Sequence, residues 1–366
     1  MNAAKGAGSD ALRRRIEAYR DPWLGMTLGE ARAVRTVETE GARAHIEIVL
    51  GFPAADYVPT LIGELSAWVA VDSDAGLDVT VHTEIVAHAV QKTLKPLAGI
   101  SNVVAVASGK GGVGKSTVAA NLALAWSRQG ARVGLLDADI YGPSQPLMMG
   151  LVGKRPATRD GKYIEPLTAH GVVVMSIGFL IDPAQPMVWR GPMVTQALTQ
   201  LLGDTEWGEL DYLVIDMPPG TGDIQLTLAQ RVPVSGALIV TTPQDIALAD
   251  ARKGLKMFEK VAVPVLGIVE NMSTHICTRC GHEEHIFGAG GGARLAAESG
   301  VGLLGELPLD SRIREEADSG RPTVVADPQS ARARAYFDMA RRTAVRLAES
   351  ARDYSRLFPK ISVEDS

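Results

Sequence analysis

The sequence predicts an α/β fold: a mostly parallel sheet with helices on both faces, preceded by a small α+β domain. Three observations carry this. Short apolar runs recur at 103–107, 133–136, 172–177, 213–215, 237–240, 265–269 and 303–304. Helical segments lie between several of them, such as 118–129, closed by Gly130. Unbroken apolar strands alternating with helices imply a sheet covered on both faces. Finally, 46% apolar and 22% charged residues is a globular balance, which excludes a disordered or collagen-like chain.

Residues 1–95 read differently. Leu12, Ile16 and Tyr19 share a helical face, and that helix is predicted to stop before Pro22. Val34 to Val37 read as a short strand. Ala44, Ile46, Ile48 and Leu50 alternate with Arg43, His45, Glu47 and Val49, the pattern of a half-buried strand. Leu61, Leu65 and Trp68 repeat at helical spacing after Pro59, and Leu77, Val79 and Val81 alternate again. This helix–strand–strand–helix–strand unit holds no phosphate loop, acid pair or cysteine, so its reading is a docking or assembly module. The main domain is assigned to 96–352, ending in a helix over 331–352. A polar tail, 353–366, follows.

Net charge narrows the function classes. Thirty-seven Lys and Arg against 42 Asp and Glu give −5, and aromatics make up 5%. That excludes a protein built to grip nucleic acid through a basic or base-stacking surface. No run approaches the ~18 apolar residues of a membrane span. Residues 1–15 lack a basic-then-apolar signal pattern, so a cytoplasmic location without membrane partners is expected.

The main domain opens on a phosphate site. Gly109-Lys110-Gly111-Gly112-Val113-Gly114-Lys115-Ser116 matches G-x-x-x-x-G-K-[ST] between a strand and a helix. Glycines let successive backbone N–H groups turn inward around an anion, and the helix start adds positive charge. Lys115 is assigned to the β- and γ-phosphates, Ser116 to Mg²⁺ and Thr117 to the α-phosphate. Asp216 ends the apolar run 213–215, where an acid can hold a magnesium-bound water. Residues 217–223, Met-Pro-Pro-Gly-Thr-Gly-Asp, suit a loop that changes shape when the γ-phosphate leaves. Asp137 and Asp139 follow another strand: Asp137 is assigned to Lys115 or Mg²⁺, Asp139 to the attacking water. Catalysis is thus placed on Lys115 and Asp139.

These residues carry a resemblance. Lys110, five positions before Lys115, makes the loop resemble the deviant Walker A motif K-G-G-V-G-K-S-T. That family of P-loop ATPases includes the Min and Par partition ATPases, the nitrogenase iron protein and the Mrp/ApbC iron–sulfur carriers. The chain is most similar to Mrp/ApbC, through Asp137 to Ser144 (Asp-Ala-Asp-Ile-Tyr-Gly-Pro-Ser), Asp216 to Asp223, Val269-Glu270-Asn271-Met272-Ser273, and Phe287-Gly288 before a glycine run. The likeness covers about 101–329. It implies slow, switch-like ATP hydrolysis. It also implies that Lys110 reaches a partner's nucleotide across a homodimer, and that Asn271 contacts adenine with 308–310 nearby. The first domain, with Asp21-Pro22-Trp23-Leu24-Gly25, resembles an assembly-factor domain often fused ahead. That domain often carries a cysteine, and Gly51-Phe52-Pro53-Ala54-Ala55 has none.

The two cysteines, Cys277 and Cys280, form C-x-x-C after the run 265–269. On spacing alone they are a metal or redox candidate. A Cys₄ cluster needs four thiolates, so two chains would have to share one. His282 and His285 could instead complete a zinc site within one chain, although that spacing is compressed. A redox disulfide or two structural thiols are the remaining options. The resemblance implies the shared cluster, [4Fe–4S], received from an upstream scaffold and passed to apo iron–sulfur proteins. Two rivals stand beside it. A Min- or Par-like spatial organiser with structural zinc needs a membrane-seeking tail or a DNA-binding surface, and this tail ends Val363-Glu364-Asp365-Ser366, which anionic lipid would repel. An electron donor like the nitrogenase iron protein uses widely separated single cysteines.

Overall fold

The computed structural model describes residues 2–40, 43–70, 76–180, 191–277 and 279–352. The predicted polar tail lies outside them. The chain divides into two compact units, with the boundary between Ile85 and Val86 instead of at residue 95. Segment 86–95 goes with the larger unit because its polar groups are spent there. His88 bonds Asn102 through its backbone N–H (3.0 Å) and Nδ1 (2.9 Å). Gln91 Nε2 donates to the carbonyls of Ala229 and Val232, and its Oε1 accepts from Val234 N–H.

The smaller unit has the predicted order: α1 (Asn2–Glu17), β1 (Val34–Glu40), β2 (Arg43–Leu50), α2 (Val58–Ala70) and β3 (Gly76–Thr83). β2 is central, antiparallel to β1 and parallel to β3. Its alternation buries Ala44, Ile46, Ile48 and Leu50, and Ile16, Leu61 and Leu65 complete the core. Helix α1 stops at Glu17, short of Tyr19. The chain then turns around buried Asp21, whose Oδ1 accepts the N–H groups of Trp23 and Leu24 (2.8 and 2.9 Å) and whose Oδ2 accepts the Tyr57 hydroxyl (2.8 Å).

The larger unit runs β4 (Ile100–Ser108), α3 (Lys115–Arg128), β5 (Val133–Asp137), α4 (Gln145–Met148), β6 (Ala157–Arg159), β7 (Tyr163–Glu165), β8 (Leu167–Ala169) and β9 (Val172–Ser176). It continues through α5 (Gly191–Asp204), β10 (Leu210–Asp216), α6 (Asp223–Arg231), β11 (Gly236–Thr241), α7 (Asp245–Lys260) and β12 (Val265–Glu270). A small hairpin, β13 (His275–Ile276) and β14 (Glu283–Glu284), precedes α8 (Gly291–Glu298), β15 (Gly302–Glu306), α9 (Ser311–Asp318), α10 (Thr323–Ala326) and α11 (Ala331–Ala348). Its main sheet has the order β15-β12-β11-β4-β10-β5-β9-β8. The seven predicted apolar runs are its seven parallel strands, and only the edge strand β8 is antiparallel. This is the P-loop NTPase fold.

Helix α3 is buried along most of its length. Its Trp126 stacks on Tyr212 of β10 with ring centroids 4.3 Å apart, worth about 1 kcal/mol beyond the area buried. Trp126 Nε1 also donates to the Ala340 carbonyl of α11 (2.8 Å). Helix α11 ends at Ala348, not at the predicted Arg352. There the chain turns to pair with the entry segment, Ala89 N–H donating to the Ala351 carbonyl (2.8 Å). With strands parallel, the carboxyl ends of β4, β5, β10 and β12 all open on one edge, where α/β sheets bind ligands.

Candidate functional site

The phosphate loop occupies that edge. Glycine is required twice by geometry. Gly114 has φ +82°, and a Cβ there would lie 2.2 Å from Asn271 Nδ2. A Cβ on Gly109 would lie 2.2 Å from the Asp250 carbonyl carbon of α7. The loop thus fits between α7 and the end of β12. A cavity of about 280 Å³ sits over it, lined by Lys110, Gly111, Gly112, Lys115, Ser116, Thr117 and Asp139 among others. A second cavity, about 170 Å³, adjoins it at Gly114, Thr117 and Met148 and continues to Asn271 and Pro308.

The acids gather under the loop. β5 and β10 pair in register, which sets Asp137 directly beside Asp216. Both carboxylates are fully buried. Lys115 Nζ donates to Asp216 Oδ1 and contacts Ser116 Oγ (3.3 Å). Burial, and next the charge of Asp216, raise the Asp137 carboxyl to about 7. Its oxygens are nonetheless supplied with donors: Asp139 N–H (3.2 Å) on Oδ1, with Gln145 N–H (3.0 Å) and Ser176 Oγ (3.1 Å) on Oδ2. Asp139, at the cavity wall, is also held above the ordinary carboxylate range by burial, against the pull of Lys115. Sequence reasoning found each of these acids but missed Gln145 and Ser176, which no motif marks.

Asn271 ends β12 and donates from Nδ2 to the Val113 carbonyl of the loop (2.9 Å). Six positions later comes Cys277. Between them, buried Ser273 donates its Oγ to Glu270 Oε1 (2.8 Å), and its carbonyl takes His285 Nδ1 (3.0 Å). His275 Nδ1 is held on the Leu309 carbonyl (2.9 Å).

The cysteines occupy the turn of the β13–β14 hairpin. Thr278 lies outside the described residues. The turn closes through Cys277 N–H to the His282 carbonyl (2.9 Å) and Gly281 N–H to the Cys277 carbonyl (2.8 Å), with Gly281 at φ +72°. Cys277 is half-buried and Cys280 exposed. The backbone N–H of Arg279, then that of Cys280, and the Cys280 thiol hold the Cys277 thiol below its ordinary pKa. A thiolate is the form that binds a soft metal. Among the described residues no three or more His, Cys, Asp or Glu side chains are gathered as a metal-ligand group, and His282 and His285 are not gathered with the two cysteines. Ile276 and Ile286 flank the turn, 56% and 51% exposed.

A model of the NUBPL iron-transfer P-loop NTPases matches residues 99–344. The chain belongs to this family. An iron–sulfur cluster carrier protein of Pseudomonas fragi is 61% identical over 271 residues, 74% of this chain and 94% of its own length. One from Escherichia coli is 47% identical over 353 residues, 95% of this chain and 96% of its own. Among solved structures, a nucleotide-binding protein of Archaeoglobus fulgidus in complex with ADP is 41% identical with a TM-score of 0.57. It covers 65% of this chain and 91% of its own length. The family match contains the loop, the three acids, Asn271 and both cysteines. No helix among the described residues is long and apolar enough to cross a membrane.

Proposed function

We propose that this NUBPL-family chain is an ATP-hydrolysing carrier that binds an iron–sulfur cluster between two copies of itself and hands it to apoproteins. One observation carries the reading: a phosphate cradle and a hairpin with two available thiols are joined by the six positions from Asn271 to Cys277. The relatives named as cluster carriers support the cargo, and the ADP complex of a relative supports the nucleotide.

The residues divide the work by chemistry. Backbone N–H groups of 109–114 and the start of α3 receive the phosphates. Lys115, spent on Asp216 without ligand, transfers its charge to the β- and γ-phosphates. Lys110, at the cavity mouth, supplies a second positive charge to the partner's nucleotide. Asp139 orients the attacking water. Asn271 and the second cavity receive the base, adenine. Ser116 and Asp216 both meet Lys115 Nζ, Asp137 lies beside Asp216 on the next strand, and all three are hard oxygen donors of the kind that hold Mg²⁺. Bound there, the ion neutralises charge on the β- and γ-phosphates. Hydrolysis is slow and acts as a switch: the nucleotide changes how Val113 and Asn271 meet, and so the setting of the hairpin.

Each copy gives the cargo two thiolates, and a Cys₄ cluster takes four. Exposed Ile276 and Ile286 beside the turn favour a partner copy covering it. The [4Fe–4S] form, supply by an upstream scaffold and a cytoplasmic location, where exposed thiols stay reduced, complete the reading.

Anaerobic reconstitution with iron and sulfide tests it. The wild type is expected to turn brown and run as a dimer carrying one cluster. Cys277→Ala and Cys280→Ala are expected to stay colourless. A colourless wild type holding one zinc per chain, or a full cluster on a strict monomer, defeats the reading.

A further inference from the structure

Gln145 belongs to no quoted motif, yet it touches every protein element of the cation site. Its backbone N–H donates to Asp137 Oδ2. Its Nε2 spends both hydrogens, one on Asp216 Oδ2 (2.9 Å) and one on the Ser116 carbonyl (3.0 Å). Both partners are acceptors, so the amide can face only one way. Its Oε1 bonds neither of them, and it is buried with no hydrogen-bond partner. The whole residue is 0% exposed. Its neighbour Ser144 lines the phosphate cavity, and Ser144 Oγ is likewise buried and unpartnered.

A buried acceptor without a donor costs about 1–3 kcal/mol. A clamp on Asp216 explains Nε2 and leaves that cost unexplained. A donor that arrives with the ligand at the adjoining cation site would resolve it. Lys115 does not qualify: it sits on Asp216 now, and nucleotide draws it toward the phosphates. Mg²⁺ sheds water reluctantly and keeps several, and water on a cation is a strengthened donor. A site built this way needs outer acceptors as well as ligands.

We infer that Gln145 is the positioning residue of the divalent-cation site. Nε2 fixes Asp216, and Oε1 accepts a hydrogen bond from a water carried in by the cation. This rests on the magnesium–nucleotide reading above and adds a specific acceptor to it.

Mn²⁺ is the probe, titrated by electron paramagnetic resonance into the full chain with ADP bound. Gln145→Met keeps the shape and removes both amide functions. It is expected to weaken Mn²⁺ binding about tenfold. Circular dichroism and a melting point in EDTA show that the variant is folded, and Mn²⁺ binding is compared at saturating ADP. Gln145→Glu keeps an acceptor at Oε1 but sets a carboxylate against Asp216. If Oε1 serves the cation's water, this variant recovers most of the lost Mn²⁺ affinity. If Gln145 is only a clamp, it binds Mn²⁺ no better than Gln145→Met, and the inference fails. Wild-type Mn²⁺ affinity in Gln145→Met also overturns it. A wild type that binds no ADP at all sinks the nucleotide reading itself, and this inference with it.

Discussion

Lys115 and Asp216 form a buried ion pair beneath the phosphate loop, with side chains 6% and 0% exposed. Removing one partner of such a pair strands the other charge, which costs about 3–5 kcal/mol. Here the cost is compounded because Asp137 lies beside Asp216 on the next strand. Lys115→Met is therefore expected to destabilise the ligand-free protein by about 3 kcal/mol and to abolish nucleotide binding. Ser144→Ala should behave in the opposite way without ligand. Its Oγ has no partner to lose, so the ligand-free melting point should hold or rise, while nucleotide affinity falls about fivefold for one lost hydrogen bond. Denaturant melts of the ligand-free variants, paired with fluorescent-nucleotide titrations, check both. A Ser144→Ala protein weakened in both measurements would mean that the hydroxyl is structural. Residues of the loop and the strand ends were legible in the sequence because the chemistry needs those types in sequential order. Gln145 and Ser176 were not. They bond acids 71 and 39 positions away, and only the folded sheet brings them there.

Elements show the same division. The buried parallel strands were legible because burial on both faces demands unbroken apolar runs. The two- and three-residue strands of β6, β7, β13 and β14 carry no periodicity, so the hairpin that shapes the cysteine turn could not be read. The entry segment 86–95 was assigned to the wrong domain because its ties are polar and distant. One of those ties makes stability depend on pH. Burial, against its hydrogen bond with Asn102, holds the His88 imidazole below its ordinary value of 6.5. Between that value and the lower native one, the unfolded chain binds the proton and the folded chain does not. Stability contributed by neutral His88 is therefore present above 6.5 and lost as pH falls through that window. Urea melts at descending pH should show the wild type weakening below about 6.5, with a shallower decline in His88→Gln. Equal slopes would mean that His88 takes up its proton as readily in the fold as outside it.

At the scale of the whole molecule, two units with separate cores share one chain, and the proposed chemistry belongs to the second. The loop, the acids, Asn271 and both cysteines fall after Val86, and so does the entire family match, 99–344. The Pseudomonas fragi relative bears the carrier name with 94% of its length matched to only 74% of this chain. The larger unit also closes on itself: α11 covers α3 through the Trp126 bond, and residues 351 and 352 return to pair with 88 and 89 at its entry. A chain beginning at Val86 is accordingly expected to fold, to bind ADP with an affinity within about twofold of the full protein, and to take up cluster through Cys277 and Cys280. The intact protein is expected to unfold in two calorimetric steps, one of which the shortened chain reproduces at an unchanged temperature. A shortened chain that aggregates, or whose remaining step moves down by several degrees, would show that the first 85 residues support the ATPase fold instead of serving as a separate docking module.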